Sequence, residues 1–213
     1  MLHTSDFIAI LTEVAGDFES HAEELRQLDA VIGDGDLGAT VELGSRALRD
    51  YLVSPDADNI GQLLGKCGMQ FNKASPSTFG TLLASAFMSA GRAVMGKETL
   101  SIEELVLPAD GAVDGITKRG KAELGDKTML DCLVPAVEAL KKELADGTTT
   151  SDALQASVVA AEEGMKATIP MMSKHGRAVW HRENTIGVQD AGATAMYYLI
   201  ESFVRHTQSR IQL

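Results

Sequence analysis

Apolar residues recur every three or four positions along most of the chain, which is the spacing of one face of an α-helix. The clearest stripe runs from Phe7 through Val14 to Leu25, and it predicts one continuous first helix whose start Asp6 can cap. Strict alternation of apolar and polar residues, the signal of a strand, is scarce, and few residues are aromatic. The pattern therefore favours an all-α protein.

Short polar breaks that contain glycine, proline or capping residues separate the later stripes. Ser75-Pro76 matches an N-cap followed by proline at the first helical position. Ser101 opens a capping box, and Pro108 is expected to kink or shorten the helix that follows. The later helices are predicted over residues 38–52, 59–71, 75–94, from 101, 128–144, 151–174 and 190–206. We therefore expect one domain over residues 1–213, a barrel or bundle of about eight up-and-down antiparallel helices.

Four of the polar breaks stand at the starts of even-numbered helices, near Gly38, Ser75, Thr128 and Asp190. Alternate helices of an up-and-down bundle begin at the same end. We therefore expect four helix N-termini to gather at one rim. Their free N–H groups and the positive ends of their dipoles make such a rim suitable for phosphate, without many lysines.

The chain is acidic, with 213 residues, a formal net charge of −11 and a pI near 4.9. Because it shows no basic patch, we expect neither a nucleic-acid partner nor binding to an anionic membrane. Cys67 and Cys132 stand in apolar helical stretches, which is typical of free thiols in a reducing compartment. With neither a secretory leader nor a long apolar run, the sequence predicts a cytoplasmic protein.

The segment Asp29-Ala-Val-Ile-Gly-Asp34-Gly-Asp36 places three carboxylates within eight positions. Such a concentration of negative charge suits a hard divalent cation, which prefers oxygen ligands. Mg²⁺ usually keeps one or two carboxylates and takes its other oxygens from water and phosphate. The segment therefore predicts a seat for a metal-bound nucleotide. Asp-Gly is also common in ordinary turns, so a purely structural acidic turn stays the alternative.

Three familiar motifs are excluded by their own residues or by their surroundings. Residues 33–38 match Gly-x-Gly-x-x-Gly, but no strand–helix–strand pattern surrounds them and aspartates occupy positions that would repel a pyrophosphate. Residues 91–98 nearly match the P-loop, yet Glu98 stands where a hydroxyl must bind magnesium. An EF-hand loop counted from Asp34 would place Gly38 and Ser45 at ligand positions.

Several motifs that follow one another along nearly the whole chain resemble the nucleotide-binding L subunit of dihydroxyacetone kinases (DhaL). They are the segment from Leu28 to Gly38 together with Gly68-Met69, Phe79-Gly-Thr81, Arg119-Gly-Lys-Ala-Glu123, Gly125-Asp-Lys-Thr-Met129, Gly176-Arg-Ala178 and Ile186-Gly-Val-Gln-Asp190-Ala-Gly-Ala-Thr194. Agreement of several loops in sequence order is more specific than any single motif. The resemblance implies an eight-helix barrel that binds ADP or ATP at one rim.

The resemblance also implies which residues form the site, although it assigns no catalytic residue. Asp29, Asp34 and Asp36 would hold two Mg²⁺ ions against the phosphates. The implied nucleotide-binding residues are Leu37, Gly38, Ala39 and Thr40 at a helix start, Ala74 and Ser75 in the phosphate loop, Gly120 and Met129 near adenine and ribose, Arg177 beside the phosphates, and Asp190, Ala191 and Gly192 in a loop that closes the pocket. The phosphate loop, residues 72–77, lacks the glycines usual in the family, and Lys73, Ser75 and Ser77 are candidates to replace their N–H groups.

As a member of that family, the chain would be a kinase subunit that transfers phosphate to a small ketose, such as dihydroxyacetone or erythrulose, held on a separate DhaK-like subunit. Two phosphodonors stay open. ATP could exchange freely, or bound ADP could be rephosphorylated by a DhaM-like protein of the sugar phosphotransferase system. The alternatives are a nucleotide-binding regulatory module without its own transfer role and a plain structural bundle.

Overall fold

A computed structural model describes residues 1–211, and this range contains nine α-helices and one pair of very short strands. The helices are α1 (Thr4–Ser20), α2 (Ala22–Ile32), α3 (Leu37–Leu52), α4 (Ile60–Ala74), α5 (Thr78–Ala93), α6 (Val106–Gly120), α7 (Leu130–Ala145), α8 (Thr150–Ala167) and α9 (Ala191–Ile211). The strands β1 (Leu2–His3) and β2 (Thr99–Leu100) pair antiparallel and tie the start of the chain to the α5–α6 connection.

Consecutive helices from α3 to α9 pack against one another, and α9 packs against α1, which in turn packs against α3. These contacts close the helices into a ring, with α2 packed on α3 beside it. Polar contacts reinforce the closure, because His206 on α9 lies between the carboxylates of Asp17 (Nε2 to Oδ2, 2.7 Å) and Glu13 (Nδ1 to Oε2, 2.8 Å) on α1. The all-α fold class is confirmed.

The predicted continuous first helix is wrong, and its break accounts for nine helices instead of eight. The chain bends at His21, where φ is −89° and ψ is 2°, and this residue separates α1 from α2. The imidazole of His21 stacks on the ring of Tyr198 in α9, with 3.7 Å between ring centroids. Apolar spacing continues across the bend, so the local pattern alone predicted one helix.

Two other predicted boundaries move for reasons that the structure makes plain. The predicted N-cap at Ser75 is wrong, because Ser75 is the C-cap residue of α4. Ser77 instead caps α5, and its Oγ accepts a hydrogen bond from the Gly80 N–H at 3.0 Å. The helix predicted to reach residue 174 ends at Ala167, because Pro170 cannot continue it. Pro108 lies in the first turn of α6, where a missing N–H removes no intrahelical hydrogen bond.

The inward faces of the helices form an apolar interior that includes fully buried Phe7, Leu63 and Leu154. Inside the ring lies an apolar cavity of about 220 Å³, which is lined by residues such as Leu11, Phe87 and others of α1 and α4 to α9. None of the helices in residues 1–211 combines the length and the apolar character that a membrane crossing requires. The helix ends, rather than the interior, therefore carry the polar chemistry.

Candidate functional site

Asp29, Asp34 and Asp36, called here the acidic triad, converge where α2 gives way to α3. One carboxylate oxygen of each lies within 4.8 Å of those of the other two. Asp29 comes from the last turns of α2, and Asp36 directly precedes α3. Between them, Gly35 has a φ of +73°, a left-handed conformation that glycine adopts without strain. This tight turn brings all three side chains to one point.

Few donors within the described residues offset the negative charge of the acidic triad. The Leu37 N–H donates to Asp29 Oδ2 at 3.3 Å, and the Arg177 guanidinium forms an ion pair with Asp34. Partial burial and the neighbouring Asp29 carboxylate raise the pKa of Asp36. A cation placed among the three carboxylates would relieve this repulsion. An all-oxygen donor set of this kind fits Mg²⁺ better than a transition metal.

Beside the acidic triad lies a cavity of about 770 Å³, called here the rim cavity. Its wall includes the first residues of α3, α5 and α9, namely Leu37, Thr78 and Ala191, and the residues Thr128 and Met129 just before α7. The predicted gathering of four helix starts at one rim is therefore confirmed. The volume is within the usual range of about 300–1,000 Å³ for small-molecule sites.

The lining of the rim cavity combines apolar and charged groups. Phe79, Leu82 and Ile116 contribute apolar surface, whereas the acidic triad and Arg177 contribute charge. A site of this composition can hold a flat apolar ring system and an anionic group together. Helix starts add N–H groups and partial positive charge for the anionic part.

The structure brings together most of the residues implied by the resemblance. The rim cavity is lined by Asp29, Asp34, Asp36, Leu37, Gly120, Met129, Arg177, Asp190, Ala191 and Gly192. Five others are not among its lining residues: Gly38, Ala39, Thr40, Ala74 and Ser75. Gly38, Thr40 and Ser75 are buried, and Ala39 is exposed outside the cavity. Their roles in binding stay predictions.

Of the three residues proposed as substitute donors in the phosphate loop, the structure places only Ser77 in the lining of the rim cavity, together with two threonines that were not proposed. Ser77, Thr78 and Thr81 line the rim cavity, whereas Lys73, offered as a substitute donor, is exposed and outside its lining. The signal was available in the sequence, because Ser77 stands three residues before Gly80 at the start of an apolar stripe, as an N-cap does. Hydroxyl groups and the start of α5 therefore line the rim cavity where the resemblance implies a glycine-rich loop.

The loop before α7 and the first turn of that helix contribute two further residues, Lys127 and Asp131, to which the sequence analysis assigned no role. Asp131 shapes this loop by accepting hydrogen bonds from the N–H groups of Gly125 at 2.6 Å and Thr128 at 2.7 Å. Lys127 is 2% exposed and is one of the residues that line the rim cavity. A buried lysine is rare, but a single sequence gives no sign of which lysine is buried.

Asp190, near Lys127 in the wall of the rim cavity, has a structural and an electrostatic role. Its Oδ2 caps α9 by accepting a hydrogen bond from the Ala193 N–H at 2.7 Å. Burial raises the pKa of Asp190 to about 6, although the Ala193 N–H and the nearby Lys127 charge act in the other direction. The predicted capping role is confirmed. The raised pKa marks Asp190 as a titratable group within the cavity wall.

Comparison with known proteins agrees with this architecture. Residues 31–205 match the family model of the DAK2 domain. The PEP-dependent dihydroxyacetone kinase, ADP-binding subunit DhaL, of Escherichia coli (strain K12) is 33% identical over 94% of this chain and 95% of its own length. The D-erythrulose kinase of Mycolicibacterium smegmatis is 31% identical over 87% of this chain, which spans only 32% of that longer protein.

Structural comparison gives the same result. The crystal structure of the dihydroxyacetone kinase from C. freundii in complex with AMP-PNP and Mg²⁺ superposes with a TM-score of 0.69 at 25% identity. The match covers 93% of this chain and 33% of that one. The fold, the family model and the near full-length relative agree. The chain belongs to the DAK2 domain family.

Proposed function

We propose that the chain, acting as one nucleotide-binding domain, is the ADP- or ATP-Mg²⁺-binding subunit of a dihydroxyacetone kinase or a related small-ketose kinase. It would transfer phosphate to a ketose held on a separate DhaK-like subunit. The relatives support this proposal, since one is named an ADP-binding subunit of a dihydroxyacetone kinase and another a D-erythrulose kinase. The ketose itself would be selected mostly by the partner.

The single observation that carries the proposal is the acidic triad at the edge of the rim cavity. Its carboxylate oxygens lie within 4.8 Å of one another, and the cavity beside them measures about 770 Å³. A structural acidic turn would need neither the cavity nor four helix starts around it. A cation site joined to an anion site is the arrangement that a metal-bound nucleotide requires.

Within this site each group has a defined task. Asp29, Asp34 and Asp36 would hold one or two Mg²⁺ ions, which supply charge neutralisation for phosphoryl transfer when bound. The helix N-termini of α3 and α5 would attract the anionic part of a bound nucleotide. Arg177, which pairs with Asp34 here, is close enough to the acidic triad to contact a phosphate that binds there.

The phosphodonor is the finer part of the proposal. We favour bound ADP that a DhaM-like phosphotransferase-system protein rephosphorylates, because the Escherichia coli relative is named PEP-dependent and ADP-binding. ADP that co-purifies and persists through dialysis would support this mode. A site that is free of nucleotide after purification and exchanges added ATP within seconds would instead support direct transfer from ATP.

A direct test uses Asp34→Asn, which removes one charge from the acidic triad while keeping the size of the side chain. Calorimetric titration with MgADP should show binding to the wild type and a loss of at least about tenfold in the variant, since even groups that only support metal ligands are worth about 10–100-fold. Asp50→Asn, on the exposed face of α3, is the matched control and should bind normally. Equal affinity in the two variants would contradict the proposal.

A regulatory module would also bind MgADP, so a second experiment separates it from a kinase subunit. The chain is mixed with a DhaK-like subunit, a ketose and a phosphodonor, and ketose phosphate is measured. Turnover that is lost with Asp34→Asn supports transfer. Tight binding without any turnover, across several donors, would support the regulatory alternative.

A further inference from the structure

The connecting loop (residues 168–190) joins α8 to α9 and carries Arg177 across the rim cavity to the acidic triad. It is 23 residues long. Much of its exposed middle, Arg177–Thr185, consists of two short 3₁₀ turns that meet at a kink at Arg182, called here the 3₁₀ segment. A loop of this length needs internal anchors to hold one geometry. The placement of Arg177 therefore depends on the residues that anchor the connecting loop to the rest of the molecule.

Lys127 provides the central anchor of the connecting loop. Its Nζ donates hydrogen bonds to the backbone carbonyls of Met171 at 3.1 Å, Thr185 at 2.6 Å and Val188 at 2.6 Å. These three carbonyls belong to both arms of the loop, one before Arg177 and two after it. One buried ammonium therefore links the two arms of the connecting loop.

The stoichiometry of these hydrogen bonds argues against a direct role for Lys127 in binding phosphate. An ammonium has three N–H donors, and all three are directed at loop carbonyls. A phosphate could bind Nζ only if one of these bonds broke. The side chain is 2% exposed although it belongs to the cavity wall, so its charged end faces the loop and not the ligand space.

Asp126, the preceding residue, holds the same loop from a second point. Its carboxylate accepts hydrogen bonds from Lys174 Nζ at 2.7 Å and from His175 Nε2 at 3.0 Å, and its backbone carbonyl accepts one from the Lys174 N–H at 3.2 Å. Lys174 and His175 directly precede Gly176 and Arg177. The neighbouring anchors therefore fix the loop just before Arg177 and again after it.

We propose that Lys127 is a positioning residue for nucleotide binding, whose ammonium joins the two arms of the connecting loop and thereby holds Arg177 beside the acidic triad. This inference rests on the proposed function, because it assumes that a Mg²⁺-nucleotide binds in the rim cavity. It predicts that the contribution of Arg177 to binding exists only while Lys127 holds the loop.

A double-mutant cycle of Lys127→Met and Arg177→Ala tests this dependence, with MgADP affinity measured by calorimetry. Methionine keeps the length of the apolar stem and removes the ammonium. We expect Arg177→Ala to weaken binding about tenfold, as for a lost charge-assisted hydrogen bond, and Lys127→Met to weaken it by a similar factor. The double variant should be no weaker than about tenfold, because the second change removes a contact that is already lost.

Multiplication of the two effects, to about a hundredfold in the double variant, would show that Lys127 acts independently of Arg177 and would overturn the inference. Unchanged affinity in Lys127→Met would overturn it as well. Failure of the wild type to bind MgADP would instead count against the proposed function. The matched control is Lys121→Met. Lys121 is exposed, lies in the same α6–α7 loop as Lys127 and, like Lys127, has a positive φ. Its substitution should leave the affinity unchanged.

Trp180, the one tryptophan of the chain, lies in the 3₁₀ segment. Its fluorescence reports local motion of the connecting loop, which a residue that only stabilised the fold would not change. Lys127→Met should lower its fluorescence anisotropy through local motion, while circular dichroism stays that of a folded helical protein. Should the methionine variant fail to fold, Lys127→Gln enters the same cycle, since its amide retains two N–H donors. Anisotropy equal to that of the wild type in a folded variant would contradict the proposal.

Discussion

At the scale of single residues, burial decides the pKa of Asp190 in the wall of the rim cavity more than its neighbouring positive groups do. Asp190 has its carboxylate against the start of α9 and near the Lys127 ammonium, yet burial still raises its pKa to about 6. A carboxyl group with a raised pKa stabilises the folded chain less when it is ionised than when it is protonated. Asp190 therefore ties the stability of this region to pH.

The sign of this effect follows from the two pKa values, about 6 in the folded chain and 3.8 as the ordinary value. Between them the unfolded chain has released a proton that the folded chain retains, so the free energy of unfolding falls as pH rises through this window. Asp190→Asn keeps the cap and does not titrate. Between pH 4 and pH 7 the variant should gain about 2 kcal/mol relative to the wild type, measured by urea unfolding.

Asp50→Asn, at an exposed position of α3, is the control, and its stability relative to the wild type should stay nearly constant over the same range. A stability difference between Asp190→Asn and the wild type that is equal at pH 4 and pH 7 would show that Asp190 does not titrate as described.

The sequence predicts the role of a residue when the residues that define this role lie within a few positions of it. The acidic triad was predicted because its three aspartates are close in sequence, and the structure brings their oxygens within 4.8 Å of one another. Lys127 was not singled out, because its partners Thr185 and Val188 lie 58 and 61 positions away. Burial of a charge by a distant loop leaves no local pattern.

At the scale of helices, caps and apolar stripes predicted most elements, while distant contacts set the exceptions. Asn59, where the predicted helix begins, is the N-cap of α4, with the Gln62 N–H donating to its side chain at 3.0 Å. The capping box also forms, since the Glu104 N–H donates to Ser101 Oγ at 3.2 Å. The break at His21, in contrast, coincides with a stacking partner in α9, which local spacing cannot reveal.

The contact of α2 with α3 depends on Gly38, which the resemblance placed in the nucleotide site. A Cβ at this position would lie 2.4 Å from the Ala22 carbonyl oxygen and 2.5 Å from Arg26 Cβ. Gly38→Ala should therefore force the helices apart and lower the free energy of unfolding by about 1–3 kcal/mol, the usual cost of overpacking. Thermal and chemical unfolding measure this change.

Gly65→Ala is the matched control, because a Cβ there meets nothing within 4 Å and alanine favours the interior of α4 by about 0.5–1 kcal/mol. The control should therefore be slightly more stable than the wild type. Gly38→Ala with normal stability but weakened MgADP binding would point to the direct nucleotide contact that the resemblance implies, and would contradict the packing role.

At the scale of the whole molecule, the rim cavity lies at one end of the ring of helices. The starts of α3, α5 and α9 surround the rim cavity, whereas α3 ends at the opposite end of its axis near Val53. Next to the rim cavity, the connecting loop exposes apolar side chains, with Trp180 86% and Ile186 50% exposed. Exposed aromatic residues beside a polar site are typical of protein interfaces.

Under the proposed function, we expect a substrate-bearing partner to contact this face. Phosphate can pass directly from a nucleotide in the rim cavity to a ketose on another subunit only if that subunit covers the cavity mouth, where water would otherwise compete. Trp180 lies three residues after Arg177, which lines the rim cavity, and its side chain is exposed. We therefore expect Trp180 to become buried when a DhaK-like subunit docks, as a central aromatic anchor does.

Trp180→Ala should consequently weaken assembly with the DhaK-like subunit by about tenfold or more, while MgADP affinity of the isolated chain stays unchanged because the side chain is not part of the cavity wall. Sedimentation velocity measures the first quantity and calorimetry the second. Val53→Ala is the matched control, since Val53 is also 86% exposed but lies at the far end of α3. Equal losses in both variants would mean that docking does not use the rim. A loss of nucleotide affinity in Trp180→Ala alone would mean that Trp180 acts through the geometry of the connecting loop, and the ring would then need another surface to meet its partner.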